Sequence, residues 1–242
     1  MPMKAIPFIL LAPSEEKAPG GVPGLLEETP AQRWVRDRLV RLARTGTPET
    51  LKKAFEVKEL ALGKARAEAQ ALAGEVPLLP ALARYTGVAF QALEAGALPE
   101  AAWKQVFILS NLRGLVRGDE PVPPYKLKLA GIPGLKAHWR KALRPLLEQV
   151  PEGVVWELLP GACAELIQDW NRPRHTLEIV DAKGKAISHF SKLYRGRVAR
   201  WVLQHQQGDP RQVLKGRIPG ADWAGASENN LGGLSLRLVV EP

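Results

Sequence analysis

Short apolar runs alternate with helical patterns along the whole chain. Runs bounded by glycine, proline or polar residues are typical of buried strands. They occupy residues 6–11, 106–109, 154–158, 176–180 and 234–240. The stretches between them carry the spacing of amphipathic helices. After the run at 176–180, residues 181–184 predict a hairpin turn with a strand that returns over 186–190, and a glycine-rich loop precedes the last run. The sequence therefore predicts an α/β (mixed α+β) protein, a single domain over residues 1–242 with a mixed sheet flanked by helices.

Helix boundaries are marked by hydroxyl, proline and glycine residues. Thr29-Pro30 and Thr47-Pro48 each combine an N-cap hydroxyl with a proline in the first turn, and Gly46 ends the helix between them. Gly196 costs a helix about 1 kcal/mol relative to alanine, so we expect a close backbone or ligand approach there. Pro145 should interrupt its helix. Further helices are predicted over 57–73, 82–85, 90–93, 99–104, 135–150 and 190–205.

The segment 108–129 has the features of a functional loop. Its apolar strand ends at Ser110, two glycines mark a turn, and three prolines forbid a continuous helix. The alternation over 125–129 predicts a further strand with Lys126 and Lys128 on one face. Polar residues at a strand end beside a rigid loop often build a site in α/β proteins. A structural turn with a stiff linker is the alternative.

A tight turn at 131–134 leads into the helix that begins at Leu135. A Gly-x-x-Gly turn can present backbone N–H groups to a phosphate at a helix N-terminus, as a helix-hairpin-helix does. That motif needs a helix before the hairpin, whereas 126–129 is predicted as a strand. The helix-hairpin-helix is therefore kept as an alternative.

Positive charge is concentrated in two windows of the sequence. The chain has 34 basic and 25 acidic residues, a net charge of +9. Windows 125–147 and 182–208 each hold six basic residues and no acid; the remainder has 22 basic and 25 acidic residues. Such clustering is typical of a protein that binds a polyanion such as DNA. A solvated basic face is the alternative.

Several classes of protein are excluded by what the sequence lacks. Cys163 is the only cysteine, so no intrachain disulfide can form and a reducing cytoplasm is the expected location. No apolar run is long enough to cross a membrane, and the N-terminus makes a poor signal peptide. No cofactor motif is present. The four histidines lack metal-ligand spacing, so no metal site is expected.

Four segments resemble the YaaA peroxide-stress-response family and span nearly the whole chain. They are 9–17, with Pro-Ser and a lysine after a strand; 85–93; 106–127, with Ser110 and Pro-Tyr-Lys-Leu; and 190–200, with Lys-x-x-Arg-Gly. The resemblance implies a mixed α/β fold with a helix-hairpin-helix element, DNA binding and a limit on intracellular iron under peroxide stress. Pro160–Cys163 stands where the family has a serine-containing block, and Trp223 replaces a usual tyrosine.

The matched segments supply residues from three regions that suit phosphate, sugar or base binding. We expect them to form one basic cleft. A lysine in such a cleft can acquire a lowered pKa and act as a nucleophile or base. The catalytic candidates are Lys192, Lys17, Ser110 and Tyr125. The predicted nucleic-acid-binding residues are Lys17, Arg113, Lys126, Lys128, Lys136, Arg140, Lys192, Arg195, Arg197 and Arg200.

Two functions are consistent with these patterns. The first is a DNA-binding protein of the peroxide stress response, with little sequence preference for duplex or branched DNA and an indirect effect on iron. The alternative is an enzyme acting on nucleic acid or nucleotide, base-excising or lyase-type, that uses a lysine of the cleft. Binding is favoured because the two basic windows contain no acid to serve as general base. Asp119 and Glu165 are the nearest acids.

Overall fold

A seven-stranded sheet lies at the centre of the protein, in a computed structural model that describes residues 6–187 and 190–240. The strands of the described residues are β1 (Pro7–Leu11), β2 (Val22–Gly24), β3 (Val76–Pro80), β4 (Val106–Ser110), β5 (Gly114–Arg117), β6 (Pro121–Val122), β7 (Val154–Leu158), β8 (Arg174–Val180), β9 (Ala221–Glu228) and β10 (Leu234–Val240). Every residue of β1 and β4 is buried, because both faces of these central strands are covered.

The strand order in the large sheet is β5-β4-β1-β7-β8-β10-β9. Five neighbouring strands, β4, β1, β7, β8 and β10, run parallel. β5 and β9 pair antiparallel at the two edges. β2, β3 and β6 form a separate three-stranded sheet with antiparallel pairing. The predicted mixed α/β fold is confirmed. β1 lies between β4 and β7, so the carboxyl ends of these three strands share one edge of the sheet.

Helices connect the strands and cover the sheet. They are α1 (Pro30–Thr45), α2 (Pro48–Phe55), α3 (Glu59–Ala71), α4 (Ala81–Arg84), α5 (Val88–Leu93), α6 (Glu100–Trp103), α7 (Leu135–Ala142), α8 (Arg144–Leu147), α9 (Gly161–Ala164), α10 (Ser191–His205) and α11 (Pro210–Val213), with a 3₁₀ turn at Ala95–Ala97. The predicted start of α1 is confirmed: the Thr29 hydroxyl accepts from the Gln32 N–H, and the Gln32 side chain accepts from the Thr29 N–H. Both α1 and α2 are capped as the sequence predicts.

Two glycine and proline predictions are confirmed in the helices. Pro145 stands in the first turn of α8, so the helix that begins at Leu135 is interrupted after Ala142. Gly196 lies where α10 packs against α5. A Cβ atom at Gly196 would overlap the carbonyl oxygen of Ala89, so the glycine permits a close approach of the two backbones.

The strand predicted over 125–129 is wrong. This segment is extended but pairs with no strand; its Lys128 N–H donates to the carbonyl oxygen of Ala54 in α2 at 2.9 Å. The alternating pattern reflects burial alone, since Tyr125 and Leu127 point inward. An extended segment also precedes the turn at 131–134. The described residues therefore show no helix-hairpin-helix.

Edge strands account for most of the elements that the sequence pattern did not predict. β9 was expected as part of a glycine-rich loop, but it pairs with β10 along its length. Its side chains are mostly exposed, so it lacks an apolar pattern. The turn predicted at 181–184 is confirmed by the Asp181 N–H, which donates to the Lys185 carbonyl at 2.9 Å. The return strand predicted over 186–190 is described only to Ile187, since residues 188 and 189 lie outside the described residues.

Within 6–187 and 190–240, no helix has the length and apolarity that crossing a bilayer requires.

Candidate functional site

A lysine, two tyrosines and a serine meet at the carboxyl edge of β1 and β4. Ser110 is the last residue of β4, and Lys17 lies in the loop that follows β1. Tyr85 follows α4 and forms an isolated antiparallel bridge with Lys17. Tyr125 comes from the extended segment after the prolines. We call Lys17, Tyr85, Ser110 and Tyr125 the Lys17 cluster.

The hydroxyl groups of the Lys17 cluster form a buried chain. The Tyr85 and Tyr125 hydroxyls are 3.0 Å apart, and the Tyr125 hydroxyl is 3.0 Å from the Ser110 Oγ. The backbone N–H of Arg113 donates to that Oγ at 3.1 Å. Burial raises the pKa of Tyr85 well above its usual value and also raises the pKa of Tyr125. Both phenols therefore stay protonated at neutral pH.

The amine of Lys17 sits over the two aromatic rings. Its Nζ is 4.0 Å from the centroid of the Tyr125 ring and 5.1 Å from that of Tyr85, and it donates to the Ser14 carbonyl at 2.9 Å. Burial, with help from the positive charge of Lys126, lowers the pKa of Lys17 to about 7. The neutral amine is therefore well populated at neutral pH, unlike that of an ordinary lysine.

Lys17 lines a cavity of about 740 Å³. Tyr125 and Lys126 line it beside Lys17. The facing wall is α3, which contributes small side chains together with Lys64 and Glu68. Because α3 presents alanines at 61, 65, 67 and 71, the wall leaves space for a ligand. We call this space the lysine cavity.

A buried arginine holds the loop that carries Lys17. The Arg84 side chain is fully buried. Its guanidinium donates to the carbonyl oxygens of Val122, Gly20 and Pro77 at 3.0, 2.9 and 2.8 Å, and also to that of Ala18. Arg84 thus joins the Lys17 loop to the small sheet. Sequence reasoning assigned no role to Arg84 or Tyr85, although Tyr85 opens one of the segments that resemble the family.

A second cavity, of about 530 Å³, lies between α5, α10 and the segment 217–219. Arg197, Arg200 and Arg217 line it with Trp201, and we call it the arginine cavity. The Arg197 guanidinium donates to the Pro219 carbonyl at 2.6 Å, and Arg200 forms an ion pair with Glu94.

The two cavities are neighbours across the start of α5. Thr86 lines the lysine cavity and Val88 lines the arginine cavity. Two residues of extended chain span at most ~7 Å, so their walls come within that distance. Gly87 lies between them and packs against Ser14 of the Lys17 loop.

The remaining residues of the predicted cleft have different surroundings. Arg113 is 8% exposed and its guanidinium donates to the Glu27 carbonyl at 2.9 Å, so it lies inside the protein. Arg195 is partly buried, and burial lowers its pKa against the attraction of Glu157. Lys192 is exposed in the first turn of α10. Contacts among the described residues join Lys17, Ser110 and Tyr125 but do not connect Lys192 to them.

Acids from elsewhere in the sequence pair with some of the basic residues in the two windows, and backbone carbonyls accept from others. Lys128 pairs with Glu56, and Lys136 pairs with Glu165. Arg140 donates to the Glu165 carbonyl at 3.3 Å, and Lys126 donates to the Glu15 carbonyl at 2.7 Å. A sequence window that contains no acidic residue can therefore still have acidic side chains beside it in the folded protein.

Neither acid proposed from the sequence as a general base lies in the Lys17 cluster. Glu165 pairs with Lys136. Asp119 pairs with Arg117 at 2.5 Å. Arg117 lies opposite Phe107, towards the amino end of β4, whereas Ser110 closes the carboxyl end. Asp119 therefore lies towards the amino ends of the parallel strands, whereas the Lys17 cluster lies at their carboxyl ends.

The described residues hold no group of three or more His, Cys, Asp or Glu side chains that could bind a metal ion. His175 accepts a hydrogen bond from the Leu234 N–H at 2.9 Å, and His138 stacks on Trp34. His189 lies outside the described residues. Burial raises the pKa of the Cys163 thiol to about 11, so the thiolate, which is the metal ligand, is scarce at neutral pH.

Fold and site together define an α/β protein with a lysine-bearing cavity at the carboxyl edge of a largely parallel sheet. The family model described as peroxide stress protein YaaA matches residues 8–223. The chain belongs to this family of peroxide stress proteins, and the match contains the Lys17 cluster and both cavities. A UPF0246 protein of Corynebacterium efficiens is 33% identical over 80% of this chain and 83% of its own length. Others from Streptomyces coelicolor and Variovorax paradoxus are 30% and 26% identical, over 81% and 90% of this chain and 82% and 90% of theirs.

Proposed function

We propose that this protein binds DNA in the peroxide stress response, along a surface that runs from the arginine cavity to the lysine cavity. Family membership supports the role in peroxide stress. The observation that carries the proposal of DNA binding is the adjacency of two cation-lined cavities at Thr86 and Val88. Duplex or branched DNA is the proposed partner, with little sequence preference, in the cytoplasm.

The residue types along this surface suit a nucleic-acid backbone. Guanidinium groups of Arg197, Arg200 and Arg217 match the geometry of phosphate. Lys64 and Lys126 offer point charges at the lysine cavity. Val88, which is 48% exposed, lies between the two groups and offers apolar contact to an unstacked base. Contacts of this kind favour affinity over sequence readout.

Ion pairs in the basic windows are compatible with DNA binding. Exposed pairs such as Lys128–Glu56 and Arg200–Glu94 are worth only about 0–1 kcal/mol. A lysine or arginine can therefore exchange its carboxylate for a phosphate at small cost. The proposed effect on intracellular iron is indirect, exerted through DNA rather than through a metal held by this chain.

A second candidate function is an enzyme acting on nucleic acid or nucleotide, of the base-excising or lyase type. One observation favours it: the Lys17 amine lies at a cavity beside a chain of protonated hydroxyls. A buried lysine of lowered pKa is a common nucleophile in enzymes. Binding stays the first candidate because surface charge supports it independently of any reaction.

The test of DNA binding is the affinity for duplex and branched DNA at increasing salt. We expect affinity to fall steeply, because binding releases counterions. The double variant Arg197→Gln/Arg217→Gln should lower the salt slope by about 1 for each phosphate that it no longer neutralises. Lys104→Gln is the matched control, since the exposed Lys104 lies near the amino ends of the parallel strands. Affinity that stays flat between low and moderate salt, or an equal weakening in both variants, would contradict the proposal.

A further inference from the structure

Lys17 is poorly suited to hold phosphate by charge alone. The pKa of its amine is lowered to about 7, so the neutral form is well populated at neutral pH, and the amine lies over two aromatic rings. Among the described residues it forms no ion pair. Lys126, on the rim of the same cavity, supplies the positive charge that a phosphate needs. A neutral amine beside a cavity instead suits an electrophile.

We propose that the Nζ of Lys17 forms an imine with the aldehyde carbon of a sugar phosphate held in the lysine cavity. In its DNA form this inference rests on the proposed DNA binding, and the aldehyde is then the ring-opened deoxyribose of an abasic site. A free sugar phosphate offers the same chemistry. The two sources differ only in whether the phosphate belongs to a DNA backbone.

The lysine cavity has the space and the charges that such a ligand needs. Its volume of about 740 Å³ is ample for a sugar phosphate. Lys64 of α3 and Lys126 both line it and can bind the phosphate. The alanines of α3 leave room opposite Lys17 for the carbon chain. Arg84 fixes the loop that carries Lys17 through its carbonyl contacts, so the amine is held in place before the ligand arrives.

Imine formation balances without an external oxidant or reductant. The nitrogen lone pair attacks the carbonyl carbon while the carbonyl oxygen gains a proton, which gives a carbinolamine. The nitrogen loses a proton, and the hydroxyl oxygen of the carbinolamine gains a second one. The carbon–oxygen bond then breaks, water leaves, and the nitrogen lone pair forms the C=N bond of a protonated imine. Tyr125 lines the cavity, and its hydroxyl belongs to the buried chain with Tyr85 and Ser110. We assign to Tyr125 the proton transfers at the carbinolamine oxygen.

The charged groups around Lys17 come from every element packed against it. Lys126 of the extended segment and Arg84 of α4 favour the neutral amine, while Glu68 of α3 and Glu15 of the same loop favour the charged one. The neutral fraction grows as pH rises through about 7. The rate of imine formation should therefore increase over pH 6–8, and Glu68→Gln should move this rise to lower pH.

Reduction with borohydride tests the inference in the full chain, because it converts an imine into a stable secondary amine. The two probes are a duplex with one abasic site and glyceraldehyde 3-phosphate. We expect a covalent adduct that peptide mass spectrometry places on Lys17, and a decrease of at least about 100-fold in Lys17→Met, which lacks the attacking amine. Lys104→Met, which removes an exposed amine near the amino ends of the parallel strands, is the matched control and should retain trapping.

The outcomes separate the chemistry from DNA binding. Trapping of both probes on Lys17 supports the inference in full. Trapping of glyceraldehyde 3-phosphate alone supports the imine and overturns its DNA form, whatever the salt titration shows. Absence of an adduct on Lys17 with both probes, while DNA still binds with a steep salt slope, overturns the inference and leaves DNA binding intact. Site mapping on the unsubstituted protein decides the matter even if Lys17→Met fails to fold.

Discussion

Lysine residues have different environments in the Lys17 cluster and in the two basic windows. In the windows, Lys128 and Lys136 stand at the surface, each paired with a carboxylate from elsewhere in the chain. Lys17 is partly buried, and it has aromatic rings and a carbonyl as neighbours. The difference teaches that local sequence charge is a poor guide to which lysine is chemically unusual.

Desolvation explains why the two regions differ so much. An exposed ion pair contributes about 0–1 kcal/mol, because water screens both charges. A pKa shift of one unit corresponds to about 1.4 kcal/mol, so lowering the pKa of Lys17 from 10.5 to about 7 represents several kcal/mol. The protein tolerates this cost at one position only if the surrounding structure holds the lysine there.

The largest effect is expected for the arginine that holds this surrounding structure. Arg84→Met should lower the free energy of unfolding by about 3 kcal/mol or more, because it leaves several buried carbonyl groups without donors. Chemical denaturation at pH 7 measures the change. Arg140→Met, at an exposed arginine with one 3.3 Å hydrogen bond, should cost less than about 0.5 kcal/mol. Equal destabilisation in both variants would show that the carbonyl contacts of Arg84 contribute no more than the single hydrogen bond of Arg140.

A pH-dependent gain in stability is expected for Lys17→Met. The pKa of Lys17 is lower in the folded protein than in the unfolded chain, so unfolding takes up a proton between about pH 7 and pH 10.5. The stability of the unsubstituted protein should rise with pH over this window, by up to about 1.4 kcal/mol per unit.

Lys17→Met removes this titration. The variant should be the more stable protein near pH 6, and its advantage should shrink as pH rises. Denaturation curves at pH 6, 7.5 and 9 measure both trends. A constant difference across these values would mean that Lys17 titrates alike in the folded and unfolded states.

A smaller effect is expected when the paired acids of the first window are removed. Glu56→Gln and Glu165→Gln together free Lys128 and Lys136, and stability should change by less than about 1 kcal/mol. If this window contacts DNA, affinity at low salt should increase a few-fold, since phosphate no longer competes with a carboxylate. Glu178→Gln, which frees Arg237 outside both windows, is the control and should leave affinity nearly unchanged. Affinity that does not rise in the double variant would place DNA elsewhere.

The central fold could be predicted from sequence because its signals are local. Buried parallel strands such as β4 and β7 appear as continuous apolar runs, and Thr29-Pro30 marks the start of α1. β9 could not be predicted, because an exposed edge strand has no apolar pattern and depends on its pairing with β10. The prediction of a strand over 125–129 is wrong for the converse reason. Its alternation follows burial, whereas a strand also requires a partner for its N–H groups.

The candidate site was predictable only in part. Lys17, Ser110 and Tyr125 could be selected because each lies in a segment that resembles the family. Their mutual geometry follows from the parallel pairing of β1 and β4 and was not visible in the sequence. The role of Arg84 could not be predicted, because it consists of hydrogen bonds to four backbone carbonyl groups, and a side-chain pattern does not indicate such bonds. The pairing of Lys136 with Glu165 likewise joins residues distant in sequence.

The close approach of Gly196 to Ala89 sets the spacing of α5 and α10, the two helices that line the arginine cavity. α5 carries Val88 on one cavity, and Gly87 before it packs on the loop of the other. The contact at Gly196 is made by the Ala89 carbonyl group and the Ala92 methyl group, so the spacing of α5 and α10 is fixed by short, rigid groups rather than by adjustable rotamers. A methyl group added at Gly196 would act as a wedge between the two helices. The wedge would displace Val88 in the arginine cavity and, through Gly87, the Lys17 loop that lines the lysine cavity.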